Sequence, residues 1–282
     1  MKPEDFDSAD PVAWCPGCGN FGIQAALKTA LARLGRDPRD ILLVSGIGQA
    51  AKTPHYVGAG FFNGLHGRSL PAAAAAKMAN KDLTVIVTTG DGDCYGEGGN
   101  HFIHNIRRNV DITVIVHDNQ IYGLTKGQAS PTSQPGMRTR IQPAGVAAAP
   151  FPPLETALAL GCGFVARGYS AEKDHLAELI LAGIAHKGFS LIDVFQPCVS
   201  FNKLNTYGWF SKRVYKVGAD HDASDKAAAL RLAEERERLP IGVIYSREGP
   251  SYGVTSGTDA LEPPARASVE GIDIGPALAD FR

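Results

Sequence analysis

Residues 84–126 read TVIVTTGDGDCYGEGGNHFIHNIRRNVDITVIVHDNQIYGLTK, and their pattern decides the fold class. An apolar, β-branched run, Thr84 to Thr89, breaks at Gly90-Asp91-Gly92. A helix is expected through Asn100 to Asn109, and a second β-branched run, Ile112 to Val116, ends at Asp118-Asn119. Two buried-type strands flanking a helix make a βαβ unit, in which ligands bind where the strands end. Asp91 and Asn119 each follow such an end, so their side-chain oxygens are expected to meet.

That pair suits a magnesium-diphosphate site. Mg²⁺ takes oxygen ligands in near-octahedral geometry and is usually held by one or two protein side chains plus the phosphates it accompanies. Asp91 offers a carboxylate and Asn119 an amide oxygen. Gly90, Gly92, Gly96, Gly98 and Gly99 let the backbone approach phosphate. GDG alone is a weak signal and also suits an ordinary βα turn; the whole string is more specific.

Working outward, the same strand and helix alternation recurs. A helix is expected over Phe21–Leu34, closed by Gly35, and a buried strand over Ile41–Ser45 runs into Gly46-Ile47-Gly48-Gln49. The long segment Ala50–Arg68 reads as a binding loop. A helix at Leu70–Ala79 follows, with Ser69 as its N-cap and Pro71 in its first turn. Beyond an ordered loop, Gly127–Pro153, come a helix at Leu154–Leu160, a strand at Phe164–Arg167, a helix at Ala171–His186 and a strand at Ser190–Phe195. This rhythm predicts an α/β fold with a mostly parallel sheet covered by helices on both faces. The organisation expected is a domain over 1–200 and an extension over 201–282 that packs on the domain or on a partner. A charged helix at Asp225–Arg238 and a tail from Gly249 to Arg282 fall in that extension.

Composition narrows the function classes. With 282 residues, 44% of them hydrophobic, the chain has the means for a large core. A net charge of −1 gives no electrostatic case for nucleic acid. No run approaches the ~20 apolar residues of a membrane span, and the acidic N-terminus lacks the apolar core of a secretion signal. Five cysteines in a chain this long argue for a reducing, cytoplasmic setting with metal or redox use rather than for a disulfide framework. Cys15 and Cys18, in WCPGCGN, suit a redox dithiol, half a zinc site or iron-sulfur ligands.

The GDG turn followed after 28 residues by the asparagine of DNQIYGLTKGQASPTS resembles the thiamine diphosphate motif of the 2-oxoacid:ferredoxin oxidoreductases, specifically their β subunits. The likeness runs from Trp14 to about Asn202. It implies a thiamine diphosphate-binding fold of the diphosphate-domain type, with Mg²⁺ held by Asp91, Asn119 and the Ile121 carbonyl. Gly90, Gly92, Asp93, Gly123, Leu124 and Thr125 would line the cofactor. His66, in GLHGR, resembles the family's turn over the cofactor's reactive end. Lys126 and Lys52 match positions near the substrate, where a cation would bind a 2-oxoacid carboxylate.

In the family the PGCG turn supplies two ligands of a four-iron four-sulfur cluster, a third cysteine follows the SGIG turn, and the fourth lies in a Pro-Cys pair. Cys15, Cys18 and Cys198 match three of these, but Gln49 stands in the remaining place. This leaves a four-iron cluster with Gln49 or solvent at one corner, a three-iron cluster, or no stable cluster. Cys94 and Cys162 fall at no ligand position and suit buried, inert roles. His101 and His104 are expected to pack or face solvent, and His117 has no assigned part.

The resemblance implies oxidative decarboxylation of a 2-oxoacid of the 2-oxoglutarate or pyruvate type, giving acyl-coenzyme A and carbon dioxide, with electrons passing through the cluster to ferredoxin. No segment resembles the pyrimidine domain that carries the cofactor-activating glutamate, so an α subunit is expected to supply it in an α₂β₂ assembly. The competing readings are a cluster-free, non-redox thiamine diphosphate decarboxylase or synthase subunit, and a zinc-bound interaction module built on Cys15 and Cys18.

Overall fold

The computed structural model describes residues 1–268, 270–271 and 273–279. Eight strands form one sheet: β1 Ile41–Ser45, β2 Gly60–Asn63, β3 Thr84–Gly90, β4 Thr113–Asp118, β5 Phe164–Tyr169, β6 Ser190–Phe195, β7 Val214–Lys216 and β8 Leu239–Ser246. Their order is β2-β1-β3-β4-β6-β5-β8-β7. Every pairing is parallel except that of β5 with β8.

Strand periodicity sorts the side chains into two cores. Val85 and Val87 of β3, with Val114 and Val116 of β4, face one core; Ile86 and Ile115 face the other. The first core is closed by α2 Ser69–Ala79, α3 Gly99–Arg108, α4 Pro153–Ala159 and α6 Lys226–Ala233. The second is closed by α1 Asn20–Leu34 and α5 Lys173–Ala185, with Phe6 of the N-terminal arm tucked beneath. This is the α/β, mostly parallel, doubly covered sheet expected from the sequence.

The α1 helix ends as its sequence prescribes, with Gly35 in the left-handed region (φ 69°) and its N–H on the Leu31 carbonyl at 3.2 Å. Its first turn lies so close to the end of β5 that a Cβ on Gly22 would sit 1.9 Å from the Ser170 carbonyl oxygen. Gly22→Ala is therefore expected to push α1 off the sheet, costing about 2 kcal/mol or more. A melting temperature lower by about 5 °C in thermal unfolding is the check, since ~1 kcal/mol moves a chain of this size by about 2–4 °C.

Several details depart from the sequence reading. The Ala50–Arg68 loop holds a 3₁₀ segment, Ala50–Tyr56, and the edge strand β2, all four of whose residues are exposed. Ser69 is the first helical residue of α2 rather than its cap, which falls at Arg68. The charged helix is shorter than Asp225–Arg238, because Leu239 already begins β8. Residues beyond Ser200 thus add two strands, β8 being laid antiparallel on β5. The described part of the tail lies along the end of α2, with Lys81 Nζ on the Leu261 carbonyl at 3.1 Å and Arg266 paired with Asp82 at 2.9 Å. Val269, Ile272 and 280–282 of that stretch lie outside the described residues.

Candidate functional site

The carboxyl ends of β1, β3 and β4 deliver Gly48-Gln49, Gly90-Asp91 and Asn119 to one place. They line a cleft of about 70 Å³ together with His66, Gly92, Asp93, Ile121, Gly123, Leu124 and Thr125. Every residue that the family resemblance implies for the cofactor is among them, whereas Gly96, Gly98 and Gly99, also expected to approach phosphate, do not line it. Lys52 is half-buried and Lys126 exposed, and neither lines the cleft. Ile47, Gly48, Ala50 and Tyr122 also line it and were not singled out from the sequence.

Asp91 is buried, and its Oδ2 accepts the Ser130 and Thr132 hydroxyls at 2.5 and 2.6 Å, leaving Oδ1 engaged by neither. Burial is the dominant influence and lifts its carboxyl from 3.8 to about 6, against the two hydroxyl donors. The Thr132 hydroxyl also lies 2.7 Å from Asp118 Oδ1, although it has a single proton to give. Asp118 is itself pushed up, first by burial and then by Asp193 and Asp91.

Asn119 Oδ1 accepts the Ile121 N–H at 2.9 Å, an Asx turn that fixes the amide beside the Ile121 peptide. One carboxylate, one amide oxygen and a carbonyl are the hard oxygen donors that Mg²⁺ takes. The opposite wall is a glycine cradle: a Cβ on Gly48 would meet nothing within 4 Å, and its φ of 123° excludes ordinary residues. The donor set and the cradle fit a magnesium-bound diphosphate.

Asp93 has a different part. Its Oδ1 accepts the Ile47 N–H at 3.1 Å, the Gly67 N–H at 2.8 Å and His66 Nδ1 at 2.7 Å, while Oδ2 accepts the Thr89 hydroxyl at 2.6 Å. One carboxylate thus ties the loop after β1 to the GLHGR turn. Because Nδ1–H is donated to Asp93, Nε2 of His66 is the nitrogen left to accept a proton or a hydrogen bond.

After Asp91 the chain makes a π-helical turn, Gly92–Glu97, a distortion frequent at functional sites. The Tyr122 ring lies flat on it, so a Cβ on Gly92 would stand 2.3 Å from that ring. The Tyr122 hydroxyl donates to Glu97 Oε2 at 3.0 Å, and burial, with that carboxylate beside it, makes the phenol harder to ionise. Gly92→Ala is expected to displace Tyr122, costing about 1–3 kcal/mol by overpacking and loosening the wall beside Asp91. Thermal unfolding and tyrosine fluorescence would register both changes.

A second, smaller cleft of about 30 Å³ adjoins the first. Cys15, Cys18 and Cys198 line it with Trp14, Gln49, Gln196, Val199 and Phe201, and it shares Gln49, Asn119 and Gly123 with the diphosphate cleft. The wall between the two is therefore one layer of residues. Burial, together with the neighbouring thiols, lifts the Cys18 thiol to about 11 against the donors around it. It stays protonated at neutral pH until a metal displaces the proton. Gln196 Nε2 donates to Cys18 Sγ at 3.4 Å and Ser200 Oγ to Cys15 Sγ at 3.0 Å.

The Trp14 indole N–H pins the Gln49 carbonyl at 2.8 Å, whereas the Gln49 side-chain oxygen is buried without a partner. Among the described residues no three Cys, His, Asp or Glu side chains close on one metal ion. A cluster does not require that, because each thiolate takes a different iron. Three thiols and one orphaned oxygen around one cleft fit an iron-sulfur cluster in donor number and type.

The remaining groups have structural roles. Cys94 and Cys162 are buried, and burial raises both thiols, Cys162 to about 12. His101 contacts Arg68, and His104 is half-buried on α3. His117 is fully buried beside Asn20 Oδ1 at 2.9 Å, and burial takes its imidazole down to about 3, so it is neutral. Among the described residues no helix is long and apolar enough to cross a membrane.

Comparison with known proteins converges on one group. The model of the thiamine pyrophosphate enzyme C-terminal, TPP-binding domain matches residues 43–194, and that of the C terminal of the pyruvate ferredoxin oxidoreductase beta subunit matches 198–256. The chain is 42% identical over 277 residues to the β subunit of 2-oxoacid:ferredoxin oxidoreductase 1 of Aeropyrum pernix, covering 90% of this chain and 87% of that one. It is 46% identical over 249 residues to the corresponding subunit of Saccharolobus solfataricus, covering 83% and 82%. A solved 2-oxoglutarate:ferredoxin oxidoreductase from Magnetococcus marinus, with 2-oxoglutarate, coenzyme A and succinyl-CoA bound, superposes with a TM-score of 0.92. It is 37% identical, over 100% of this chain and 96% of that one. With its thiamine diphosphate-binding fold, the chain belongs to the β subunits of the 2-oxoacid:ferredoxin oxidoreductases.

Proposed function

We propose that this β subunit works with an α subunit to decarboxylate a 2-oxoacid of the 2-oxoglutarate or pyruvate type oxidatively. The products are acyl-coenzyme A and carbon dioxide, and the electrons leave through an iron-sulfur cluster to ferredoxin. The observation that carries this reading is the wall shared by the two clefts: Gln49, Asn119 and Gly123 face the diphosphate site on one side and the three thiols on the other.

Thiamine diphosphate, when bound, supplies the electron sink that decarboxylation needs. The chain's own part is placement and charge. Asp91, Asn119 and the Ile121 carbonyl would hold Mg²⁺, and the peptides from Gly90 to Asp93 and from Gly123 to Thr125 would receive the diphosphate. His66, oriented by Asp93, presents Nε2 over the reacting end. Lys126 and Lys52 stand outside the cleft and act on the substrate carboxylate once the pocket is completed by the α subunit. Cys15, Cys18 and Cys198, with Gln49, would hold a four-iron cluster that carries the electrons away.

The α subunit supplies the pyrimidine half, and an α₂β₂ assembly in the cytoplasm follows the family pattern. Its docking face is the apolar rim beside the cleft, where Phe61 and Phe62 of β2 are half-exposed and Leu65 more so. Gln49 also sustains a second reading, a cluster-free decarboxylase or synthase subunit. Anaerobic purification of the co-expressed subunits, followed by iron analysis and coenzyme A-dependent viologen reduction with pyruvate, 2-oxoglutarate and branched-chain or aryl 2-oxoacids, tests both. Iron with dye reduction supports the first reading. Decarboxylation without iron or dye reduction establishes the second.

A further inference from the structure

A separate cleft of about 770 Å³ lies where β4 and β6 end, under the loop that precedes α4. That volume is typical of a small-molecule site. It is lined by Asp118 and Thr132, and so backs onto Asp91 through the Thr132 hydroxyl.

On its floor is Arg167, only 6% exposed. Among the described residues its guanidinium makes no hydrogen bond. Nε is buried without a partner, and the nearest acid, Asp193 Oδ1, stands 3.8 Å away. That separation is too long for a hydrogen bond. The guanidinium lies over the Phe195 ring, 5.0 Å from its centroid. Buried donors left unmade are costly, and a guanidinium presents a planar fork that matches one carboxylate.

The walls select the rest of the ligand. Trp209, held by Arg213, whose guanidinium stacks over its ring at 4.4 Å, stands with Phe151 and Leu239 as apolar surface. Four acids, Asp118, Glu155, Glu235 and Glu237, stand against three arginines, Arg167, Arg213 and Arg236, in the lining, which disfavours a polyanion such as a nucleotide. We propose that this cleft is a second ligand site, for a small monocarboxylic acid with an apolar body, its carboxylate forked on Arg167 and its body against Trp209 and Phe151. It is separate from the diphosphate cleft and does not depend on the function proposed above.

Calorimetric titration of 3-phenylpropionate, which is not a 2-oxoacid, into the full-length chain co-purified with its α subunit tests this, first without and then with saturating thiamine diphosphate and Mg²⁺. One site per β chain is expected in both conditions, with no binding of the neutral 3-phenylpropionamide. Arg167→Lys, which keeps the charge beside Asp193 but loses the fork, should weaken binding at least about tenfold. The paired change Arg167→Met with Asp193→Asn should abolish it. Trp209→Ala, away from the buried pair, should weaken it too and keeps the test open if the paired variant does not fold. No saturable binding, equal binding of the amide, unchanged affinity in the Arg167→Lys and Trp209→Ala proteins, or competition with thiamine diphosphate would each overturn the assignment.

Discussion

Asp91→Ala is expected to abolish coenzyme A-dependent viologen reduction by the co-expressed subunits, by about a hundredfold or more. Changes to residues that only support metal ligands commonly cost 10–100-fold, and Asp91 is the one carboxylate of the proposed magnesium set. Its removal leaves Asn119 and a carbonyl, too few charged oxygens to hold Mg²⁺ against water. The fold should survive, because Asp91 lies at a strand end and the β3 side chains that pack both cores are untouched. A differential measurement isolates the site. Wild type with thiamine diphosphate and Mg²⁺ at about a hundred times Kd gains ~2.7 kcal/mol, or about 5–10 °C in melting temperature. The variant should show no such gain. Retained turnover, or an undiminished cofactor-induced shift, would remove Asp91 from the site.

Gln49→Cys should change the metal centre as much as Asp91→Ala changes the cofactor site. With Gln49 at the fourth corner, as proposed, one iron would face an amide oxygen, a far weaker ligand for that metal than thiolate. Oxidation with ferricyanide is expected to strip that iron and leave the near-isotropic EPR signal of a three-iron cluster. With cysteine at 49, four thiolates enclose the cluster; iron content should survive oxidation and the three-iron signal should not develop. The position is prepared for the change, since the Trp14 indole fixes the backbone of Gln49 while its side-chain end has no partner to lose. Equal iron loss from both proteins would exclude Gln49 as a ligand. Absence of iron from both would favour the cluster-free decarboxylase.

The interior strands were legible because each is largely buried and carries a dense run of apolar side chains, which left β1, β3, β4 and β6 within a residue or two of their expected limits. β7 and β8 at one end of the sheet, and β2 at the other, were not. The β8 segment, LPIGVIYS, carries a proline and a glycine at φ 147°, and it follows a charged helix that masked its beginning. β2, GFFN, is exposed throughout and has no inward face to leave a pattern. In the site, the motif residues located the cleft. What holds Asp91 was less evident, because Ser130 and Thr132 act through hydroxyls about 40 positions downstream on an irregular loop. Lys52 and Lys126 are near in sequence to cleft residues, yet they lie outside its lining, and the backbone at Lys126 turns at φ 80°.

The outermost strand β2 leaves one row of peptide N–H and C=O groups unpaired, flanked by two phenylalanines and a leucine. A ribosome releasing this polypeptide by itself would free a template for runaway strand addition, and inclusion bodies would be the natural product. If the α subunit docks on this strand, as proposed, balanced synthesis of both subunits would serve solubility as well as catalysis. A gene pair translated from one message would provide it, covering the strand as soon as it forms.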